Sequence, residues 1–205
     1  VQDPLSALSK LDPRKLSLGQ HQYEVDQELL RQALDQVVGT CIAKVSVDLG
    51  VADAETLARL PGMSQALAKA VVAHRDAAPN GFRSRNELLE VPGVVGKAFE
   101  QASGFMRVFG GDQPLDATAI HPERYAQVTE MARAVGVTVG DLLGNTELVG
   151  KIDKDAFLGQ PGVSGEPLGP RGFSQISATL REPGRDPRPP FAVAAYHPDL
   201  GSFED

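Results

Sequence analysis

Apolar residues recur at helical spacing along most of the chain, and no segment alternates for long enough to make a sustained strand. Between Gln27 and Val45, the residues Leu30, Ala33, Leu34, Val37, Cys41 and Val45 form a stripe that Leu29, Val38 and Ile42 widen. Asp26 stands where an N-cap is needed. The pattern predicts an amphipathic helix over 27–45, with Cys41 as buried filler. Gly50 and Asp53 mark a turn and the next cap. Two similar units follow, over about 54–76 and 85–107. In the first, Leu57-Ala58-Arg59-Leu60-Pro61-Gly62-Met63-Ser64 precedes the run Ala66 to His74. In the second, Leu88-Leu89-Glu90-Val91-Pro92-Gly93-Val94-Val95-Gly96 precedes Lys97 to Phe105. Each reads as an apolar helix end, a Pro-Gly reversal and a second apolar helix. Gly62 and Gly93 lie 31 residues apart, a spacing that predicts one pseudo-symmetric four-helix unit. Ser84 and Glu87 have the spacing of a capping box at the start of the second pair.

Gly110-Gly111-Asp112-Gln113-Pro114 marks an internal boundary. Beyond it, His121-Pro122 starts a helix with the stripe Tyr125, Val128, Met131, Ala132 and Val135. Thr138 caps a short helix through Leu143, and Glu147 to Ile152 predicts another. Residues 159–190 are rich in Gly and Pro, with one helical island near Gly172 to Leu180, and Arg185 to Phe191 reads as extended linker. The expected fold is all-α: a tandem helix-hairpin-helix domain, then a second small helical domain with a Gly/Pro-rich end.

The Pro-Gly reversals carry the candidate chemistry. Pro61 fixes φ, and Gly62 supplies a conformation that other residues resist. The next helix then opens with unpaired N–H groups at its positive end, where a phosphate can sit. The usual pattern is Pro-Gly-apolar-Gly. Ser64 replaces the second Gly in the first hairpin, and Gly96 comes one position late in the second. Ordinary packing turns are the competing reading. The candidate nucleic-acid contacts are Gly62, Met63 and Ser64 at the first tip and Gly93, Val94 and Gly96 at the second. Lys69, Arg75, Arg83, Arg85 and Lys97 are the cationic arms around them, with Arg83 and Arg85, flanking a helix start, as the best pair. Met63 and Val94 either press on a groove or turn inward.

Composition narrows the rest. The 205 residues suffice for one or two small cored domains, and 41% hydrophobic and 23% charged content is ordinary for a globular chain. The net charge of −7 disfavours a simple polyanion binder. Between Glu55 and Arg107, however, seven basic residues face five acidic ones, so the hairpins form the electropositive part of an acidic chain. A single Cys excludes an internal disulfide. His21, His74, His121 and His197 show no ligand spacing, so no metal or cofactor is expected. No nucleotide-binding Gly loop or nucleophile motif is present, and Gly169-Pro170 is followed by Arg171 rather than the Asp of base-excision glycosylases. A non-enzymatic, cytoplasmic monomer is expected, without a membrane span or signal-peptide pattern.

Several stretches, taken in order, resemble the Tex family of bacterial transcription accessory proteins, which is related to a eukaryotic transcription-elongation factor that also binds histones. They are Asp3-Pro4-Leu5, Leu11-Asp12-Pro13, Gly19-Gln20-His21-Gln22-Tyr23-Glu24-Val25, Val47-Asp48-Leu49, Ala98 to Phe105, Asn145-Thr146-Glu147-Leu148 and Pro183 to Pro189. The family usually reads Val-Asp-Leu-Asn-Thr-Ala before the first hairpin; here Gly50-Val51-Ala52 follows Leu49. The resemblance implies that 1–26 is the tail of a ribonuclease-H-like domain, 27–109 the tandem hairpin domain, 112–190 the second helical domain, and 191–205 a linker before an OB-fold RNA-binding domain. It implies sequence-nonspecific binding of DNA, RNA or both, with RNA polymerase or associated factors as protein partners. The alternative is a protein-interaction scaffold that positions flanking domains or docks the transcription machinery.

Overall fold

The computed structural model describes residues 10–16, 19–163 and 165–185. The expected linker over 191–205 and the start of the expected ribonuclease-H-like tail lie outside the described residues. Helix α1 (Gln27–Val45) has the predicted bounds, and Asp26 caps it by accepting from the N–H groups of Glu28 and Leu29. Its apolar stripe is used only in part. Ile42 is buried, with Val38 and Ala43 packed beside it, whereas Leu29, Val37 and Cys41 are exposed. Cys41 is therefore not buried filler: the core below α1 meets the helix at Val38, Ile42 and Ala43, and Cys41 is exposed.

The first hairpin pair is α2 (Ala54–Leu57) and α3 (Gln65–Ala77); Asp53 caps α2 by accepting from Thr56 N–H at 2.8 Å. The second begins as a 3-10 turn, Arg85–Glu90, and continues as α4 (Gly96–Ala102). The capping box expected at its start is displaced. Ser84 Oγ accepts from Asn86 N–H, and the Glu87 carboxylate accepts from Arg83 N–H, because the tighter 3-10 turn moves each partner by one residue. A parallel pair of two-residue strands, β1 (Val47–Asp48) and β2 (Met106–Arg107), closes the unit. It is a clasp on a helical protein, too short to show as an alternating pattern. Leu49, Leu57, Ala68, Val71, Leu88, Val91, Ala102 and Met106 form its core.

After Gly110–Asp112 a second core begins at Leu115. The chain turns through Pro122–Arg124 into α5 (Tyr125–Val135), whose Val128, Met131 and Ala132 are buried as the stripe predicted. Short helices α6 (Val139–Leu142), α7 (Thr146–Gly150) and α8 (Lys154–Phe157) follow. Helix α9 (Pro170–Arg181) lays Phe173, Ile176 and Leu180 into the same core.

One side chain rivets the two units together. Arg85 is completely buried. Its guanidinium donates to the carbonyls of Ser103, Leu115, Asp116, Thr118 and Ile120, with the Asp116 and Ile120 bonds at 2.8 and 2.9 Å. Asp116 accepts the Arg85 backbone N–H at 2.9 Å and the Tyr125 hydroxyl at 2.5 Å. Burial pushes the Tyr125 phenol well above its ordinary range and lowers the Arg85 guanidinium.

Candidate nucleic-acid interface

The two hairpins share one backbone device. Gly62 (φ 77°) and Gly93 (φ 90°) are left-handed, and each follows a Pro. The next residue turns inward: Met63 and Val94 are 8% and 9% exposed and belong to the core. This corrects their candidacy as groove contacts, since an apolar tip gains more by covering the core beneath it than by standing in water. The residue after that is extended. Ser64 in that place opens α3 and Val95 opens α4.

The hairpins lean on each other reciprocally. A Cβ on Gly62 would come within 2.8 Å of Gln101 and 3.2 Å of the Ala98 carbonyl, both on α4. A Cβ on Gly93 would come within 3.1 Å of Leu67 on α3. Each reversal thus sits over the other unit's second helix, as the 31-residue repeat predicts.

What remains outward differs between the two. Ser64 Oγ accepts from Leu67 N–H at 3.2 Å, which leaves the N–H groups of Gln65 and Ala66 to open a 13-residue helix. Val95 is 64% exposed and offers no side-chain cap, so the first turn of α4 is uncapped. Gly96 has open space where its side chain would be. Lys69 and Lys97 are both exposed.

The three arginines have other partners. Arg85 is the buried rivet and reaches no surface, so it is not a nucleic-acid contact. Arg75 donates to the carbonyls of Ala52 (2.5 Å) and Leu49 (3.3 Å) and pairs with Asp76, so it secures the loop before α2 instead of standing free. Arg83 is exposed, and its guanidinium pairs with Asp112, which holds that carboxyl below its ordinary range. The outward set is therefore Gly62, Ser64 and Lys69 on one side and Gly93, Gly96 and Lys97 on the other. Among the described residues no cluster of His, Cys, Asp or Glu could hold a metal ion, and no helix is long and apolar enough to cross a membrane.

The second unit carries the same device once more. Gly136 is left-handed (φ 80°), Val137 packs on the core and Thr138 caps α6. Here the opening carries its own carboxylate. Asp141 accepts from the Thr138 N–H at 3.2 Å and from its hydroxyl at 2.6 Å in a full capping box, which lowers the Asp141 carboxyl. The repeated Gly–apolar–cap order at 62–64, 93–95 and 136–138 is the signal that marks this unit as a further hairpin. A search for Pro-Gly alone passes over it.

Comparison with known proteins agrees with both units. The family described as "Helix-hairpin-helix motif" matches residues 42–107, and one described as "HHH domain" matches residues 113–188. The second helical region expected from the sequence is thus itself a helix-hairpin-helix domain. Over its whole length the chain is 42% identical to the transcriptional accessory protein Tex of Neisseria gonorrhoeae, of which it covers 26%. It is 38% identical to protein YhgF of Escherichia coli (strain K12), again over the whole chain and 26% of the relative. An S1 RNA-binding domain-containing protein 1 from Homo sapiens is 28% identical over 80% of this chain and 21% of its own length. The chain spans about a quarter of the length of the bacterial relatives it matches, and the Tex resemblance holds across all of it.

Proposed function

We propose that this chain is a non-enzymatic, sequence-nonspecific nucleic-acid-binding region of a transcription accessory protein, and that it grips the phosphate backbone through the openings of α3 and α4. One observation carries the reading: two reciprocal hairpins turn their apolar tips inward and leave exposed residues at the openings of α3 and α4, with Lys97 in the first turn of α4 and Lys69 exposed farther along α3. Backbone amides aimed at phosphates position a duplex or strand without reading bases. Lys69 and Lys97 add counter-charge, and the counterions released from the phosphates they neutralise make the grip salt-sensitive. The working compartment on this reading is the cytoplasm, with DNA or RNA as partner.

The second unit favours the scaffold reading for itself. Asp141 holds a negative charge where a phosphate would approach its hairpin, so that unit packs against protein and orients the first.

The test is a titration of labelled single- and double-stranded DNA and RNA at several salt concentrations. Wild-type binding weakens linearly on a log–log plot. Lys69→Ala/Lys97→Ala lowers the slope by about 2, at roughly 0.9 for each phosphate that a lysine no longer neutralises. An unchanged slope and affinity in that variant refutes the hairpin grip.

A further inference from the structure

A cleft of about 450 Å³ lies where the end of α1, strand β2 and the end of α9 meet, away from the hairpin openings; its charged wall residues are Lys44, Arg107, Glu182 and Arg185. Arg107 is the unusual member. It is only 9% exposed, yet no carboxylate pairs with it among the described residues. Its Nη1 donates to the carbonyls of Gly104 and Met106, both at 2.9 Å. Nε and Nη2 donate to nothing among the described residues. Burial, with the neighbouring Arg85 cation acting in the same sense, lowers its pKa to about 10. A largely buried guanidinium in the wall of a cleft, with no carboxylate partner and two unpartnered nitrogens among the described residues, suits an anion with oxygens for those donors. The other charges agree. Lys44 is exposed with no ion pair among the described residues, and Arg185 is held by Glu182, the one acidic wall residue, only in a solvent-exposed pair at 3.4 Å that a phosphate could replace. Ser46, also on the wall, has φ 69° and ψ 162°, a region that side-chain-bearing residues rarely occupy. That backbone turn takes the chain from α1 into β1, which pairs with β2 and so sets Arg107 in the wall.

We propose that this cleft takes a phosphate group, with Arg107 as its buried donor and Lys44 and Arg185 as its exposed ones, and that in a nucleic-acid complex the sugar-phosphate backbone supplies it. The choice of backbone as source rests on the proposed function; the phosphate site does not. Fork-shaped guanidinium donors suit phosphate oxygens, and the cationic excess of the cleft stands out on an acidic chain.

The test uses the full chain with Lys44→Ala/Arg185→Ala, which leaves the buried Arg107 in place. Two probes are applied: a labelled DNA duplex over a salt series, and inorganic phosphate followed by backbone amide NMR. The expected result is a three- to tenfold loss of duplex affinity, with a salt slope lower by about 2. Phosphate is expected to shift the Ser46, Phe109 and Gly184 amides in the wild type and to shift them less in the variant. Phosphate shifts with unchanged duplex affinity assign the site to a free phosphate. No localised phosphate shift together with wild-type duplex affinity overturns the site. If the wild type binds no duplex, the proposed function fails for this chain and the phosphate titration alone decides the cleft. Loss of duplex affinity in Lys69→Ala/Lys97→Ala but not in the cleft variant, again without phosphate shifts, leaves the hairpin grip standing and removes the cleft.

Discussion

The hairpins at Gly62 and Gly93 and the one at Gly136 use the same backbone and present opposite electrostatics. All three pair a left-handed glycine with an apolar residue packed inward and an extended residue that opens a helix. At the first two, the residues of the opening are exposed, and each helix carries an exposed lysine, Lys69 or Lys97. At the third, Asp141 reaches back and accepts the Thr138 N–H and hydroxyl, which sets a carboxylate at the helix opening. The shared part is a solution to chain reversal. The difference lies in one residue at the third helical position, and on the proposed function that residue, not the reversal itself, decides whether a hairpin takes a phosphate.

The largest effect is expected where the two units meet, because the contrast between them supposes a fixed joint. Arg85→Met removes the guanidinium from five buried carbonyls and from beside the buried Asp116 carboxylate, 3.8 Å away, and should cost about 3–5 kcal/mol in urea unfolding. Arg83→Ala, two residues away, breaks an exposed pair and should cost less than about 1 kcal/mol. Near-equal values would show that the joint does not depend on Arg85.

Next come the glycines. Gly62→Ala meets both a positive φ and the backbone of α4, so about 2–4 kcal/mol is expected from strain and overpacking together. Gly136→Ala meets open space and carries the conformational cost alone, about 1–2 kcal/mol. A reversed order would break the claim that the first hairpins are buttressed by each other. Ser64→Ala removes a cap and should cost about 1 kcal/mol. Val95→Ser supplies the cap that α4 lacks and should stabilise by about 0.5–1 kcal/mol.

The smallest effect is one of pH. Asp141 titrates below its ordinary value in the folded protein because the Thr138 N–H and hydroxyl donate to its charged form. Its contribution is therefore present above the ordinary carboxylate range and lost as pH falls through the lowered value. Thermal melts of Asp141→Asn should show a shallower acid decline than wild type. Its nucleic-acid affinity should be unchanged or slightly higher, and a loss of affinity would contradict the scaffold role of that hairpin.

Much of the helical frame was legible in the sequence. The bounds of α1, the Asp26, Asp53 and Thr138 caps, the stripe of α5 and the two left-handed glycines all follow from local pattern and turn chemistry. The site was less legible. Arg83 and Arg85 look equivalent in sequence, yet one pairs with Asp112 in solvent and the other disappears among carbonyls from residues 103–120. That fate is decided by partners up to 35 residues away, which no local spacing encodes. Cys41 failed for a related reason: a stripe shows that a helix has an apolar face, but not how much of that face the core reaches. Arg107 carried no signal because its setting is a cleft assembled from four segments of the chain.

The central claim is that nucleic acid meets the openings of α3 and α4. Backbone amide NMR of the full chain titrated with a short DNA duplex at low salt tests it most directly. The largest shifts should fall at Gly62 to Ala66 and at Gly93 to Lys97, with Gly136 to Asp141 unmoved. Shifts concentrated at 136–141, or none at either of the first two hairpins while the duplex is bound, would contradict it.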